Sequence, residues 1–120
     1  MKIAVTVREP HPDSEVDPRF GRAAYFLIHD TATGGWESVD NDQNVAAAQG
    51  AGVQAAQTMV ARDVAALLTG HCGPKAFRVL SAAGVAVCVG ATGTASEAVA
   101  AYREGRLEPS TTPDVQGHWA

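Results

Sequence analysis

Apolar positions along the chain fall into short runs separated by polar, glycine- and proline-rich punctuation, and their period changes from run to run. Residues 2–7, KIAVTV, are short and β-branched and predict a buried first strand. Residues 23–30, AAYFLIHD, predict a second strand, and residues 36–40, WESVD, alternate apolar and polar as a half-exposed edge strand does. The TATGG turn between them, with Gly34 and Gly35 available for positive φ, makes these two strands an antiparallel hairpin. After a turn cluster at 41–44, NDQN, the period lengthens: Val53, Ala56, Met59 and Val60 recur at helical spacing between Gly50 and Asp63. Residues 64–69, VAALLT, are a continuous apolar run of the kind found in parallel strands covered on both faces. Pro74 suits the first turn of a helix carried by Ala76, Phe77, Leu80 and Ala83, and Gly84 stops it. Residues 85–89, VAVCV, form another buried strand, and Thr94, three residues before Glu97, has capping-box spacing for a last helix over 95–104. The tail, residues 105–120, is interrupted by Pro109 and Pro113 and reads as irregular.

The predicted order is β-β-β-α-β-α-β-α, with no internal repeat and no domain boundary, so residues 1–120 read as one α/β domain. Right-handed crossovers leave a mixed five-stranded sheet of order 3-2-1-4-5, with strand two antiparallel, as the simplest solution. The carboxyl ends of strands one, three, four and five then share one edge, which gathers the loops at 8–22, 41–50, 70–74 and 90–94. Open α/β sheets bind ligands at that edge. Three helices start there, near Gly52, Gly73 and Thr94, and helix N-termini favour anions. The loop at 8–22, REPHPDSEVDPRFGR, is long enough to suggest function.

Charge sharpens this picture only in part. Arg8, Arg19, Arg22, Lys75 and Arg78 are five of the nine basic residues and lie at this edge, but Glu9, Asp13, Glu15, Asp17, Asp40 and Asp42 lie there too. Gly50, Gly52, Gly70, Gly73, Gly90 and Gly93 would admit close approach of backbone to a ligand. The net charge of -4 and pI near 5.4 argue against a duplex nucleic-acid partner. With 46% hydrophobic residues in 120, the chain can bury a core and is expected to fold without metal. Two cysteines, Cys72 and Cys88, outside any CxxC spacing, exclude a disulfide framework and a zinc ribbon. Free thiols, and the lack of a long apolar run, lead us to expect a cytoplasmic protein with no membrane partner.

Three segments carry candidate chemistry. In DPRFGRA, residues 17–23, Arg19 and Arg22 are planar donors for an anion and Phe20 an apolar wall; alternatively the segment is a turn into strand two with Phe20 plugging the core. GHCGP, residues 70–74, joins a thiol and an imidazole to a helix N-terminus, where Cys72 and His71 could ligate a soft metal and His11 or His118 could complete the set; alternatively Cys72 merely packs. GATGT, residues 90–94, is an anion loop or an ordinary strand-to-helix turn. Cys88 reads as core, His29 as structural, and Trp36 and Trp119 as packing or anchoring residues. The pattern predicts a Cys72 thiol open to labelling reagents and a Cys88 thiol protected from them. No nucleophile elbow, Walker-type loop or set of strand carboxylates is present, so the chain is not expected to be an enzyme.

Taken together, MKIAV at the start, DPRFGRAAYFLIHD at 17–30, VDN at 39–41, GAGVQAAQ at 50–57, TGHCGPKAFRVLSAAGV at 69–85, GATGTASEAV at 90–99 and GHW at 117–119 resemble the dinitrogenase iron–molybdenum cofactor biosynthesis family. The resemblance spans nearly the whole chain and implies a three-layer α/β/α, ribonuclease-H-like fold. It also implies noncovalent binding, carriage or storage of a molybdenum-containing metal–sulfur cluster of Mo-Cu-S or Fe-Mo type, without chemistry by the protein. A free-standing single domain is similar to the small molybdenum–copper–sulfur members. Carried over, the cofactor-binding residues are Arg19, Phe20, Gly21 and Arg22, Gly50 and Gly52, and Gly70, His71, Cys72, Gly73 and Pro74. The reading of the residues themselves adds Gly90 and Thr94 of the GATGT turn, and Cys72 and His71 as the candidate metal ligands. The implied partner is a cofactor donor or acceptor protein. A metal-free regulatory or adaptor module using the same edge for a protein partner is the alternative, and an enzyme acting on a phosphorylated or carboxylated small molecule is a third reading.

Overall fold

The computed structural model describes residues 1–42 and 50–111. The expectations placed on Gln43 and Asn44 of the turn cluster, on Pro113, and on His118 and Trp119 of the GHW segment lie outside the described residues. The elements are β1 (Lys2–Val7), β2 (Tyr25–Asp30), β3 (Trp36–Asp40), α1 (Ala51–Ala61), β4 (Val64–Leu68), α2 (Pro74–Ala82), β5 (Ala86–Cys88) and α3 (Ala95–Arg103). The sheet order is β3-β2-β1-β4-β5. β2 pairs antiparallel with both β1 and β3, while β1–β4 and β4–β5 are parallel. This is the mixed sheet with strand two reversed that the pattern predicts, in the ribonuclease-H-like arrangement that the family resemblance implies.

Alternation along the strands decides which helix covers which face. Ala4, Phe26, Ile28, Val39, Leu67 and Val87 point to one side, under Ala55, Ala56 and Met59 of α1 and Ala76, Phe77 and Leu80 of α2. Ile3, Val5, Val7, Leu27, Ala66, Leu68 and Cys88 point to the other, under Ala95, Ala98 and Val99 of α3. Three layers result because the central strands are apolar on both faces and each face needs a cover.

The element ends follow local chemistry. Gly84 takes φ +79 directly after α2, and its N–H and that of Val85 close on the carbonyls of Ser81 and Leu80, as an αL stop does. At α3 the capping box forms in full: Glu97 N–H donates to Thr94 Oγ1 at 3.2 Å, and Thr94 N–H to Glu97 Oε1 at 2.9 Å. The Thr94 N–H on the carboxylate, and then the Thr94 hydroxyl beside it, hold the Glu97 pKa below the usual carboxylate value. In the hairpin only Gly34 takes positive φ, at +78, while Gly35 does not. β2 starts at Tyr25 rather than at residue 23, because the chain is still turning there, with Ala23 N–H reaching back to the Phe20 carbonyl.

The long loop at 8–22 is laced onto the carboxyl edge rather than extended into solvent. Asp17 N–H donates to the Thr6 carbonyl at 2.8 Å and the Thr6 hydroxyl donates to the Asp17 carbonyl at 2.7 Å. The Thr6 hydroxyl also lies 2.8 Å from that of Thr69, all three residues being buried. Further along, His71 N–H donates to the Pro18 carbonyl at 2.7 Å, Gly90 N–H to Gly70 O at 2.9 Å and Ala91 N–H to Thr69 O at 3.0 Å. Arg19 and His71 pair as an isolated parallel bridge, so the DPRFGR and GHCGP segments meet. At the other end of the loop Asn41, 2% exposed, donates through its side-chain amide to the carbonyls of Gly21 and Ala23.

Gly70 is fixed by this lacing. A Cβ there would lie 2.6 Å from Pro18 Cα and 2.7 Å from its carbonyl oxygen, both backbone atoms. Gly70→Ala is therefore expected to push the 17–19 segment off the edge and to lower stability by about 1–3 kcal/mol, as overpacking does, read as a drop in denaturation midpoint. A second expectation concerns Cys88, which burial pushes up from 9.0 to about 11. Across that window the unfolded thiol ionises while the folded one keeps its proton, so the thiol's contribution is intact below pH 9 and lost as pH rises toward 11. Tyr102 is raised too, by burial first and then by the neighbouring Cys88 charge, and it acts in the same direction. Stability of Cys88→Ala should thus fall less steeply than that of the parent between these pH values, as measured by urea titrations at stepped pH.

Candidate functional site

The lacing leaves a cleft of about 490 Å³ lined by Arg8, Asp17, Pro18, Arg19, Arg22 and Ala24. Arg8 follows directly on the last residue of β1, and Arg19 and Arg22 come from the pinned segment that leads toward β2. Three arginines thus line one concavity, with a single aspartate among them. Arg19 is half exposed and Asp17 is 7% exposed; Arg19 Nε lies 3.7 Å from Asp17 Oδ1, while the Arg19 backbone N–H donates to the same oxygen at 3.0 Å. A guanidinium group presents several N–H donors in a fixed planar fork, a geometry that can accept an anion.

The structure divides the residues expected at the site. Arg19 and Arg22 line the cleft, as does Arg8, which the charge inventory placed at this edge without assigning it to the site. Phe20 does not form a wall: it is wholly buried, with its ring centroid 5.6 Å from that of Phe26, and plugs the core beneath the loop. Gly21 is buried and its carbonyl is taken by Asn41. Gly70 serves the close approach to Pro18. Gly50, Gly52, Gly73, Pro74 and Gly90 do not line the cleft; Gly50 and Gly90 take φ +80 and +76, which turn the chain.

The three helix N-termini are not equivalent. That of α3 is consumed by the protein itself: Ala95 N–H donates to Ser14 O and Ser96 N–H to Pro12 O, each at 3.0 Å, in addition to the Thr94–Glu97 box. Thr94 is therefore a cap and a splice to the long loop, and the anion site expected there is filled by backbone carbonyls. The N-termini of α1 and α2 carry no side-chain cap and no acidic residue in the first turn.

The thiol expectation is also corrected. Cys72 is as buried as Cys88, both at 0% exposure, and it packs in the cluster that holds Phe20, Ala76 and Phe77, with Sγ 3.7 Å from the Gly73 carbonyl. The reason is local: the strand-to-helix turn that presents Gly73 and Pro74 turns the Cys72 side chain into the core under α2. His71 is half-buried, and His11 instead reaches Glu9 Oε2 at 2.9 Å on the surface. Among the described residues no group of three or more His, Cys, Asp or Glu side chains is placed to hold a metal ion. Nor is any helix among them long and apolar enough to cross a membrane.

Sequence reasoning missed the supports of the site. Thr6, Thr69 and Asn41 are buried polar residues that fasten the loop, whereas Asp17, which the charge inventory placed at this edge, forms part of the cleft wall. Thr6 and Thr69 carry a readable signal, since each is the polar residue at the carboxyl end of an apolar strand run. Asn41 carries less, because an Asn after a strand is an ordinary turn residue.

Comparison with known proteins agrees with this architecture. The apo form of the orange protein from Desulfovibrio gigas superposes with a TM-score of 0.92 at 42% identity, over 95% of this chain and 96% of that one. The solution structure of a Thermotoga protein described as a NifB candidate superposes with a TM-score of 0.83 at 40% identity, over 97% and 98% of the two chains. An uncharacterized protein of Methanocaldococcus jannaschii is 29% identical over 110 residues, 90% of each chain. The family model described as dinitrogenase iron-molybdenum cofactor matches residues 1–105, a stretch that contains every strand and helix of the sheet and the arginine cleft, and the chain belongs to that family.

Proposed function

We propose that the protein binds and carries an anionic metal–sulfur cluster, held noncovalently in the cleft bordered by Arg8, Arg19 and Arg22. The observation that carries this reading is the lining: three arginines on one concavity, with both thiols buried and no metal-chelating group of side chains among the described residues. Such a wall fits a cluster bound whole as an anion and does not fit a metal ligated by protein thiolates or imidazoles. Membership of the iron–molybdenum cofactor family and the likeness to the orange protein support a molybdenum-containing cargo, of Mo-Cu-S or Fe-Mo type.

The cluster is cargo, and the chain's own residues hold and release it. The arginines supply charge and directed N–H donors, worth more per bond than neutral hydrogen bonds. The laced loop supplies position, because Pro18 and Arg19 are tied to His71 and Asp17 to Thr6. The natural partner is then a protein that gives up or receives the cluster at this open edge, in the cytoplasm. Because the cleft opens to solvent through half-exposed side chains, its grip depends on ionic strength.

Tetrathiomolybdate, a molybdenum–sulfide dianion, alone and with copper(I), serves as the probe under anaerobic conditions. Arg19→Ala and Arg22→Ala are each expected to weaken retention by about 1–3 kcal/mol, as for charged hydrogen bonds, and parent affinity should fall as salt rises. Equilibrium dialysis with visible absorbance measures both. Retention equal to that of the parent in both variants, at low and high salt, would assign these arginines to the turn and remove the reading.

A further inference from the structure

A cleft built only to hold an anion would exclude negative charge, yet Asp17 stands in its wall. Its surroundings make it an unusual member. The backbone of Asp17 is locked on both sides, its N–H to the Thr6 carbonyl and its carbonyl to the Thr6 hydroxyl, so the residue is anchored in the wall. The side chain is 7% exposed, and Oδ1 accepts the Arg19 backbone N–H at 3.0 Å. The Arg19 guanidinium is 50% exposed and its Nε stands 3.7 Å from that oxygen, beyond hydrogen-bond length. The carboxylate is thus fixed, and the arginine beside it is held only loosely.

The geometry points to Asp17 as a resident counter-ion that competes with the cluster for Arg19 and so sets the rate at which cargo leaves. This inference rests on the reading of the cleft as the cluster site. When an anion arrives, Arg19 turns from the carboxylate to the cargo at little cost, since a loose, half-exposed ion pair contributes little. The carboxylate stays in place, held by its burial and by the Arg19 N–H, and it repels the bound anion at short range. On departure Arg19 returns to Asp17. Affinity is lowered and exchange is accelerated, which suits a protein that hands cargo on and not one that stores it.

The test uses the full chain, tetrathiomolybdate, and two substitutions that keep an acceptor for the Arg19 N–H without the charge. Asp17→Asn is nearly isosteric, and Asp17→Ser forms the same kind of side-chain turn, so one serves if the other fails to fold. Both should bind the probe about three- to tenfold more tightly than the parent, the range of a single partly screened charge interaction, with the change carried by slower dissociation in stopped-flow displacement. In an Arg19→Ala background the gain from Asp17→Asn should shrink, because the competed-for residue is gone. Unchanged affinity would reduce Asp17 to a turn residue, and weaker binding would make it a positioning group for Arg19; either overturns the inference while leaving the cleft intact. A gain undiminished in the Arg19→Ala background would overturn the competition and leave only a net-charge effect. Failure of the folded parent to bind the probe would remove the cleft reading itself, and this inference with it.

Discussion

The candidate site depends on a small polar lock at the end of the central strand. Thr6 accepts from and donates to the backbone of Asp17 while its hydroxyl meets that of Thr69, and all three residues are buried. A buried hydroxyl without partners would cost free energy, and here each serves the others. The lock turns a long polar loop into a fixed lining of the sheet's carboxyl edge. Without it, the arginines that follow Asp17 would not share a wall with Arg8.

The same constraint decides which helix N-termini at this edge stay open. The general rule offers three helix N-termini as anion sites. The long loop occupies one of them with its own carbonyls, through Ser14 and Pro12 against Ala95 and Ser96. What the loop loses in freedom there, it gains as position at its other half, where Asp17, Pro18 and Arg19 lie against β1 and the Gly70–His71 turn. Gly70 without a Cβ and Asn41 with a carbonyl-binding amide complete the fastening.

The fold was legible from the sequence because its signals are local and mutually consistent. Apolar runs of strand length, the change of period after Gly50, Gly84 after α2, and Thr94 three residues before Glu97 each correspond to an observed element. That Arg19 and Arg22 come together in one cleft was legible for the same reason, since they sit in one short segment. For Phe20 and Cys72 the sequence offered a packing reading beside the site reading and could not choose between them, because both lie in polar, glycine-rich stretches and a one-dimensional pattern does not show which side chain a loop turns inward; the structure takes the packing reading for each. The competition for the α3 N-terminus was equally hidden, since it joins Ser14 and Pro12 to residues some eighty positions away in the chain.

Nuclear magnetic resonance of the arginine side chains tests the central claim most directly. Protein labelled with nitrogen-15 would be titrated anaerobically with tetrathiomolybdate while the Nε–H signals of all arginines and the backbone amides are followed. The account predicts saturable shifts of Arg8, Arg19 and Arg22 Nε–H and of the amides at 17–19, with Lys75, Ala76 and the α3 N-terminus little changed. Shifts centred instead on the first turn of α2 or on Cys72, with the three arginines unmoved, would contradict it.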